Sequence, residues 1–247
     1  MFDKSSNPVF GKKIFDKANS YSDAESMTIQ GTINKTLICF GLLLIAAVYT
    51  WRLVIINPGN AMIWAGGGAI AGLIIAMVTI FKPTWSVFTV PVYAVVEGLF
   101  LGAISALFES MYPGIVMQAV LLTFGSMFAL LFAYKAGLIK VSKKFMMGIV
   151  IATGAIFLVY LLSFILGFFG ISIPMIHGNG WVGIGFSLFV VVIAALNLVL
   201  DFHFIEKRAE EGSPKYMEWF SAFGLMVTLI WLYIEILNLL AKLNSRD

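Results

Sequence analysis

The sequence predicts an all-α membrane protein, a polytopic bundle of seven transmembrane helices with the N-terminus in the cytoplasm and the C-terminus outside. Three observations support this prediction. The 247 residues are 60% apolar and only 12% charged, about half the charged fraction of an ordinary soluble domain. Seven apolar stretches are each long enough to cross about 30 Å of hydrocarbon. Lysine and arginine collect on one side of these stretches, and the positive-inside rule places that side in the cytoplasm.

The predicted spans follow a polar N-terminal segment, residues 1–34, and form a seven-helix transmembrane domain over residues 35–247. Turn sequences separate the spans, among them Asn57-Pro58-Gly59 and Tyr112-Pro113-Gly114. The long continuous apolar runs do not fit a closed β-barrel, whose strands alternate every second residue. The spans are predicted at Thr36–Ile56, Ala61–Phe81, Trp85–Phe108, Ile115–Phe132, Phe145–Phe169, Trp181–Phe204 and Trp219–Ala241.

The placement of positive charge gives the predicted orientation. Thirteen of the sixteen lysines and arginines lie before the first span, which begins at Thr36, or in the even-numbered loops, and the other three are Arg52, Lys242 and Arg246. This asymmetry argues against a seven-helix hormone receptor, whose N-terminus lies outside. A retinal protein needs a lysine in the middle of the last helix, whereas Lys242 lies near its far end.

Several classes of chemistry have no support in the sequence. The single cysteine, Cys39, excludes an internal disulfide and a thiolate metal cage. No HExxH spacing, P-loop, GxSxG elbow or dinucleotide fingerprint is present. No basic cluster interleaved with aromatic residues indicates nucleic acid. We therefore expect a non-enzymatic protein in contact with membrane lipid, with no cofactor and no nucleic-acid partner.

The acidic residues inside the apolar spans are the functional candidates, because a carboxylate at mid-bilayer costs roughly 2.5–3.5 kcal/mol. Glu97 lies near the centre of the third span. It is flanked by a stripe of small residues that includes Gly98 and Gly102, a spacing that lets helices approach closely. Glu97 is therefore either a functional carboxylate or a buried hydrogen-bonding group across a helix interface.

The last span carries a polar and small-residue stripe along one face. Glu235 is the acid well inside this span, whereas Glu218 lies at its start, where a solvated or capping role is expected. Such a face belongs against other helices or along a wet cavity rather than against lipid. The stripe consists of Glu218, Ser221, Gly224, Thr228, Trp231, Glu235, Asn238 and Lys242.

The sixth span repeats this pattern more weakly. Gly183, Ser187, Ala194, Asn197 and Asp201 share one face, and Asp201 lies a couple of turns inside the predicted cytoplasmic boundary. Its alternative role is an interfacial carboxylate that pairs with the nearby basic residues Lys207 or Arg208.

A bundle that encloses several carboxylates suits hard cations and protons. The residues alone leave open a cation channel, an exchanger and a structural scaffold. Helical rise places Asp201 about 10 Å from the cytoplasmic boundary and Glu235 about 20 Å or more from it. A direct hydrogen bond between these two acids would therefore require a kink, a buried loop or a tilted last helix.

Four segments together resemble the Bax inhibitor-1/YccA family of seven-helix membrane proteins, in particular its prokaryotic branch. The third span contains the Glu-Gly-x-x-x-Gly segment within Pro91–Ser105. The others are Leu196–Phe202 in the sixth span, Trp231–Leu237 in the last, and Thr28–Thr36 before the first. The resemblance covers nearly the whole chain, including the helix count.

This resemblance implies a pH-sensitive calcium-permeable leak channel, in which acids on the sixth and seventh helices form a titratable pair at a central pore. Carried over by position, the pair is Asp201 and Glu235, which would also hold calcium transiently, with Glu97 as a third pH-sensing candidate. Calcium and protons are then the expected ions. The polar residues expected to line the pore are Asn197, Thr228, Asn238 and Glu218.

Two other functions fit the same resemblance. One is a non-enzymatic regulator that binds a membrane protease or a stress or cell-death partner through residues 1–34. The other is a proton-coupled cation exchanger. The short loops favour a bacterial inner membrane as the location.

Overall fold

The computed structural model describes residues 26–170, 178 and 180–245. Within these residues, seven helices are long and apolar enough to cross a membrane. They confirm the predicted all-α membrane fold. In chain order they are α1 (Ile29–Ile56), α2 (Ala61–Phe81), α3 (Ser86–Met111), α4 (Ile115–Lys135), α5 (Lys143–Phe168), α6 (Trp181–Glu210) and α7 (Met217–Asn244). Short 3-10 turns at Pro58–Asn60 and Pro83–Trp85 precede α2 and α3.

Helix α1 begins earlier than hydropathy predicts, at Ile29, within the polar segment assigned to residues 1–34. Its start is fixed by Thr28, whose side-chain oxygen accepts a hydrogen bond from the Gly31 amide at 2.9 Å. Such an N-cap satisfies a backbone donor that the helix leaves unpaired. Residues 1–25 of the polar segment, and Arg246, lie outside the described residues.

The chain packs as two compact units. The amino-terminal unit contains α1, α2 and α3 together with residues 204–227. The carboxy-terminal unit contains α4, α5, residues 181–203 of α6 and residues 228–244 of α7.

In the amino-terminal unit, α3 packs against both α1 and α2. The small residues of α3 allow the close approach that the sequence predicts. A Cβ atom on Gly98 would lie 2.3 Å from the Leu43 carbonyl oxygen, and one on Gly102 would lie 2.2 Å from that of Ala47. Both distances are too short for any side chain, so glycine sets the spacing between α1 and α3.

In the carboxy-terminal unit, Ile156, Val190 and Ile193 form a buried cluster against which Tyr160 and Trp231 pack. The helices differ sharply in how much they bury. Within the apolar 18-residue stretch of each helix, 67% of α7 is buried, compared with 11% of α5. The polar stripe of α7 therefore faces protein, as its sequence predicts, while most of α5 is left for lipid.

Candidate functional site

Helices α6 and α7 lie antiparallel in the carboxy-terminal unit, and two hydrogen bonds fix their register. Thr228 Oγ1 donates to Asp201 Oδ2 at 2.6 Å. About four turns away, roughly 21 Å along both helices, Lys242 Nζ donates to Ser187 Oγ at 2.8 Å. The same register therefore holds along this whole contact, which we term the α6–α7 seam.

The seam repeats every seven residues on each helix. Asp201, Ala194 and Ser187 follow one another on α6, opposite Thr228, Glu235 and Lys242 on α7. Two of these three pairs combine a small residue of α6 with a long charged residue of α7: Ala194 with Glu235, and Ser187 with Lys242. Ala194 is completely buried. A seven-residue spacing keeps one helix face toward its partner, so this periodicity explains why the polar residues stay in the seam.

Asp201 is completely buried. One turn away on α6, Asn197 Nδ2 donates to Thr153 Oγ1 of α5 at 2.9 Å and to its own Ile193 carbonyl at 2.8 Å. Asp201 is therefore not a solvated interfacial carboxylate. Its Oδ2 accepts the Thr228 hydroxyl of α7, while the Asn197 amide joins the next turn of α6 to α5.

Glu235 is also buried, with 4% of its surface exposed. Its carboxylate accepts the Tyr160 hydroxyl, which lies 2.9 Å from Oε1 and 3.0 Å from Oε2. The indole Nε1 of Trp231, one turn earlier on α7, donates to Oε1 at 3.1 Å. Two aromatic donors thus hold this carboxylate, and each keeps its apolar ring in the surrounding packing.

The described contacts do not join Asp201 and Glu235 as a directly bonded pair. Asp201 is level with Thr228, and Glu235 lies two turns further along α7, about 10 Å of helical rise. Its hydrogen bonds go to Tyr160 and Trp231 instead. The two acids share the seam, but each has its own donors.

Glu97 belongs to the amino-terminal unit and has 8% of its surface exposed. Tyr93, one turn earlier on α3, is also buried. A Cβ atom on Gly72 of α2 would lie 2.4 Å from Glu97 Oε1, so the missing side chain of that glycine makes room for the carboxylate. The Glu97 carboxylate therefore lies at the contact between α2 and α3.

Residues 7–245, nearly the whole chain, match the Bax inhibitor 1 like family. The chain belongs to this family. No curated protein and no solved structure matches it. Membership in the Bax inhibitor 1 like family, together with the seven apolar helices, makes the chain an integral membrane protein.

In this Bax inhibitor 1 like protein, Glu218 is a capping acid, but it is buried rather than solvated. Its side chain has no exposed surface, and its Oε2 forms an ion pair with Lys35 Nζ at 2.9 Å. The backbone amide and hydroxyl of Thr28 both donate to Oε1 at 3.0 Å. Lys215 approaches the same oxygen at 3.4 Å. Glu218 therefore binds the N-terminus of α1.

The site contains few potential metal ligands, and two of its hydrogen-bonding residues were not indicated by the sequence. Among the described residues, no group of three or more His, Cys, Asp or Glu side chains could hold a metal ion. Asn238, which the resemblance suggests as a pore-lining residue, is half-buried on α7. The sequence did not single out Tyr160 or Thr153, because each is an isolated polar residue within the apolar α5.

Proposed function

We propose that the protein is a pH-sensitive, calcium-permeable leak channel whose ion route follows the α6–α7 seam. One observation carries the proposal: two buried carboxylates, Asp201 and Glu235, lie on one continuous interhelical contact about two turns apart. Hydroxyl and amide groups accompany them, at Thr228 and Asn197. Oxygen-rich, anionic surroundings suit a hard cation, and intramembrane acids typically mark ion or proton pathways.

The separation of the acids alters the expected gating. A shared proton between two touching carboxylates would bind α6 to α7 directly, but here Thr228 already links Asp201 to α7. A threonine hydroxyl can donate to a carboxylate or accept from a carboxylic acid, so this link survives either protonation state. Protonation would instead remove the negative charge that attracts a cation. Calcium flux should therefore rise as pH rises.

Calcium flux into proteoliposomes at pH 6, 7 and 8 tests this proposal. Asp201→Asn and Glu235→Gln each remove one charge at nearly constant shape, and we expect either to reduce flux and flatten its pH dependence. Glu210→Gln makes the same chemical change on an exposed residue at the end of α6 and should behave like wild type. A wild-type pH profile in Asp201→Asn would refute the seam as the pH-sensing element.

Two other outcomes would point to the alternative functions. Flux no greater than that of empty liposomes at every pH would favour a non-enzymatic regulator that binds a membrane protease or a stress partner. Calcium movement driven uphill by an imposed pH gradient would favour a proton-coupled exchanger.

The proposal also includes an orientation and a location. Thirteen of sixteen lysines and arginines lie on the side of the N-terminus, which supports a cytoplasmic N-terminus, and the short loops favour a bacterial inner membrane. Cysteines introduced near either terminus and labelled with a membrane-impermeant thiol reagent in sealed cells would test the orientation.

A further inference from the structure

The connection between α4 and α5 carries positive charge that the described part of the chain does not balance. Lys140, Lys143 and Lys144 lie within five consecutive residues, and all three are exposed. Their ammonium groups form no hydrogen bond or ion pair with any described residue. The described acids of the same unit are Asp201 and Glu235, and both are buried. We term these three residues the lysine cluster.

The lysine cluster is not explained by the orientation of the chain in the membrane alone. Residues 1–35 contain five lysines and four acids, and residues 205–218 contain three basic residues and four acids. In contrast, no Asp or Glu occurs between Glu109 and Asp201. The positive-inside rule depends on lysine and arginine and is little affected by acids. It therefore does not account for the lack of acids around the lysine cluster.

The stability of α5 does not explain the lysine cluster either. Lys143 and Lys144 are the first two residues of α5, where the helix dipole favours negative rather than positive charge. The cap of this helix is Ser142, whose Oγ accepts a hydrogen bond from the Phe145 amide at 3.2 Å. The two lysines thus add an unfavourable charge to a helix start that is already capped, and an external anion would offset that charge.

Backbone hydrogen bonds hold the loop in a conformation that exposes an apolar side chain close to the lysine cluster in the sequence. Gly137 has a φ of 71°, the left-handed conformation that commonly ends a helix. The next amide, that of Leu138, donates to the Ala133 carbonyl of α4 at 2.9 Å. In this motif the residue after the glycine often packs back onto its helix, but Leu138 is 74% exposed. Leu138 is therefore available to an apolar partner outside the chain.

We propose that the lysine cluster and Leu138 form a binding surface for the headgroups of anionic lipids. Lipid phosphates border a loop that joins two membrane-spanning helices, and each lysine near an anionic leaflet strengthens binding about fivefold. Leu138 enters the boundary between headgroups and acyl chains, as apolar side chains of interfacial segments do. A soluble acidic peptide would satisfy the lysines but would offer Leu138 no hydrocarbon. The inference does not depend on ion conduction.

Native mass spectrometry of the detergent-solubilised full-length chain tests this surface. The chain is titrated with phosphatidylglycerol and with phosphatidylcholine of the same acyl chains, and wild type should bind phosphatidylglycerol more tightly. Lys140→Gln/Lys144→Gln should weaken that binding roughly ten- to thirtyfold, which corresponds to about fivefold per charge. Lys140→Arg/Lys144→Arg keeps both charges and should match wild type.

The matched control is Arg52→Gln/Lys82→Gln, which removes two positive charges from exposed residues of the amino-terminal unit. It should bind phosphatidylglycerol like wild type. Equal affinity of wild type for the two lipids, or an equal loss in this control and in Lys140→Gln/Lys144→Gln, would overturn the inference. Elution as a single species with an unchanged helical circular dichroism spectrum would establish that each variant folds.

Leu138→Gln distinguishes a lipid from a soluble acidic partner, because it leaves every lysine in place. It should weaken phosphatidylglycerol binding several-fold. Lipid binding that is unchanged in Leu138→Gln, and that a water-soluble polyglutamate peptide displaces from wild type, would overturn the lipid surface in favour of an acidic protein partner.

Discussion

The contact between Glu218 and the N-terminus of α1 gives a prediction whose size can be worked out from the structure. The carboxylate is fully buried and receives the Thr28 amide, the Thr28 hydroxyl and the Lys35 ammonium, at 3.0, 3.0 and 2.9 Å. Glu218→Gln keeps the shape and one oxygen acceptor. It replaces the other oxygen with an amide group that directs its N–H bonds at Lys35.

The expected cost follows from these contacts. A hydrogen bond to a charged group contributes about 1.5–3 kcal/mol, and removing one partner of a buried ion pair costs about 3–5 kcal/mol. The Lys35 side chain is 24% exposed, so its ammonium can be partly rehydrated. The uncharged amide that replaces the carboxylate still accepts from Thr28. We therefore expect Glu218→Gln to lower the free energy of unfolding by about 2–4 kcal/mol.

Lys215 provides a control on the same carboxylate. Its ammonium lies 3.4 Å from Glu218, and its side chain is 43% exposed. Exposed ion pairs contribute about 0–1 kcal/mol, so Lys215→Gln should be nearly neutral. The two lysines thus differ in their expected effect because of geometry and exposure, not because of their chemistry.

Unfolding by sodium dodecyl sulfate in mixed micelles, followed by circular dichroism, would measure these free energies. A double-mutant cycle with Lys35→Met and Glu218→Gln isolates the pair, and we expect a coupling of about 1–3 kcal/mol. A loss in Glu218→Gln no larger than that in Lys215→Gln, or a coupling near zero, would refute the view that this carboxylate binds α1.

Two further substitutions each test the packing of one unit. Gly98→Ala would place a Cβ 2.3 Å from a carbonyl oxygen of α1 and should lower the free energy of unfolding by about 1–3 kcal/mol. Gly125→Ala meets open space within α4 and should be neutral or stabilising. Equal effects of the two substitutions would contradict the close α1–α3 approach. Tyr160→Phe removes the hydroxyl from both oxygens of Glu235 and should cost about 1–3 kcal/mol. Tyr49→Phe, at an exposed position of α1, should have little effect, and similar losses in both variants would contradict a specific role for Tyr160.

The fold could be predicted from the sequence because the bilayer imposes a simple rule, in which each span needs about 20 apolar residues. The ends of the helices could not be predicted in the same way, because hydropathy marks the boundary of the lipid rather than the last hydrogen bond of the helix. Helix α1 begins at its Thr28 cap, and α6 continues to Glu210, six residues past the predicted Phe204 end. The polar residues near these ends are compatible with helix outside the hydrocarbon.

The candidate acids could be predicted for a similar reason. A charge in an apolar run must face protein or water, and Glu97, Asp201 and Glu235 are all buried. Their partners could not be predicted, because a partner depends on the register between helices. Helical rise indicated that Asp201 and Glu235 lie at different depths, but it did not identify Thr228 as the α7 residue level with Asp201.

The register between α6 and α7 sets the order of the charged groups along the seam. Going from Thr228 toward the C-terminal end of α7, the seam carries the carboxylate of Asp201, then that of Glu235, then the ammonium of Lys242, at intervals of about two turns. In the channel that we propose, protonating Asp201 or Glu235 would remove one negative charge from this row, so protons and permeating cations would act on the same row of charges. Such a seam could couple pH to cation occupancy even though its two acids lie about two turns apart.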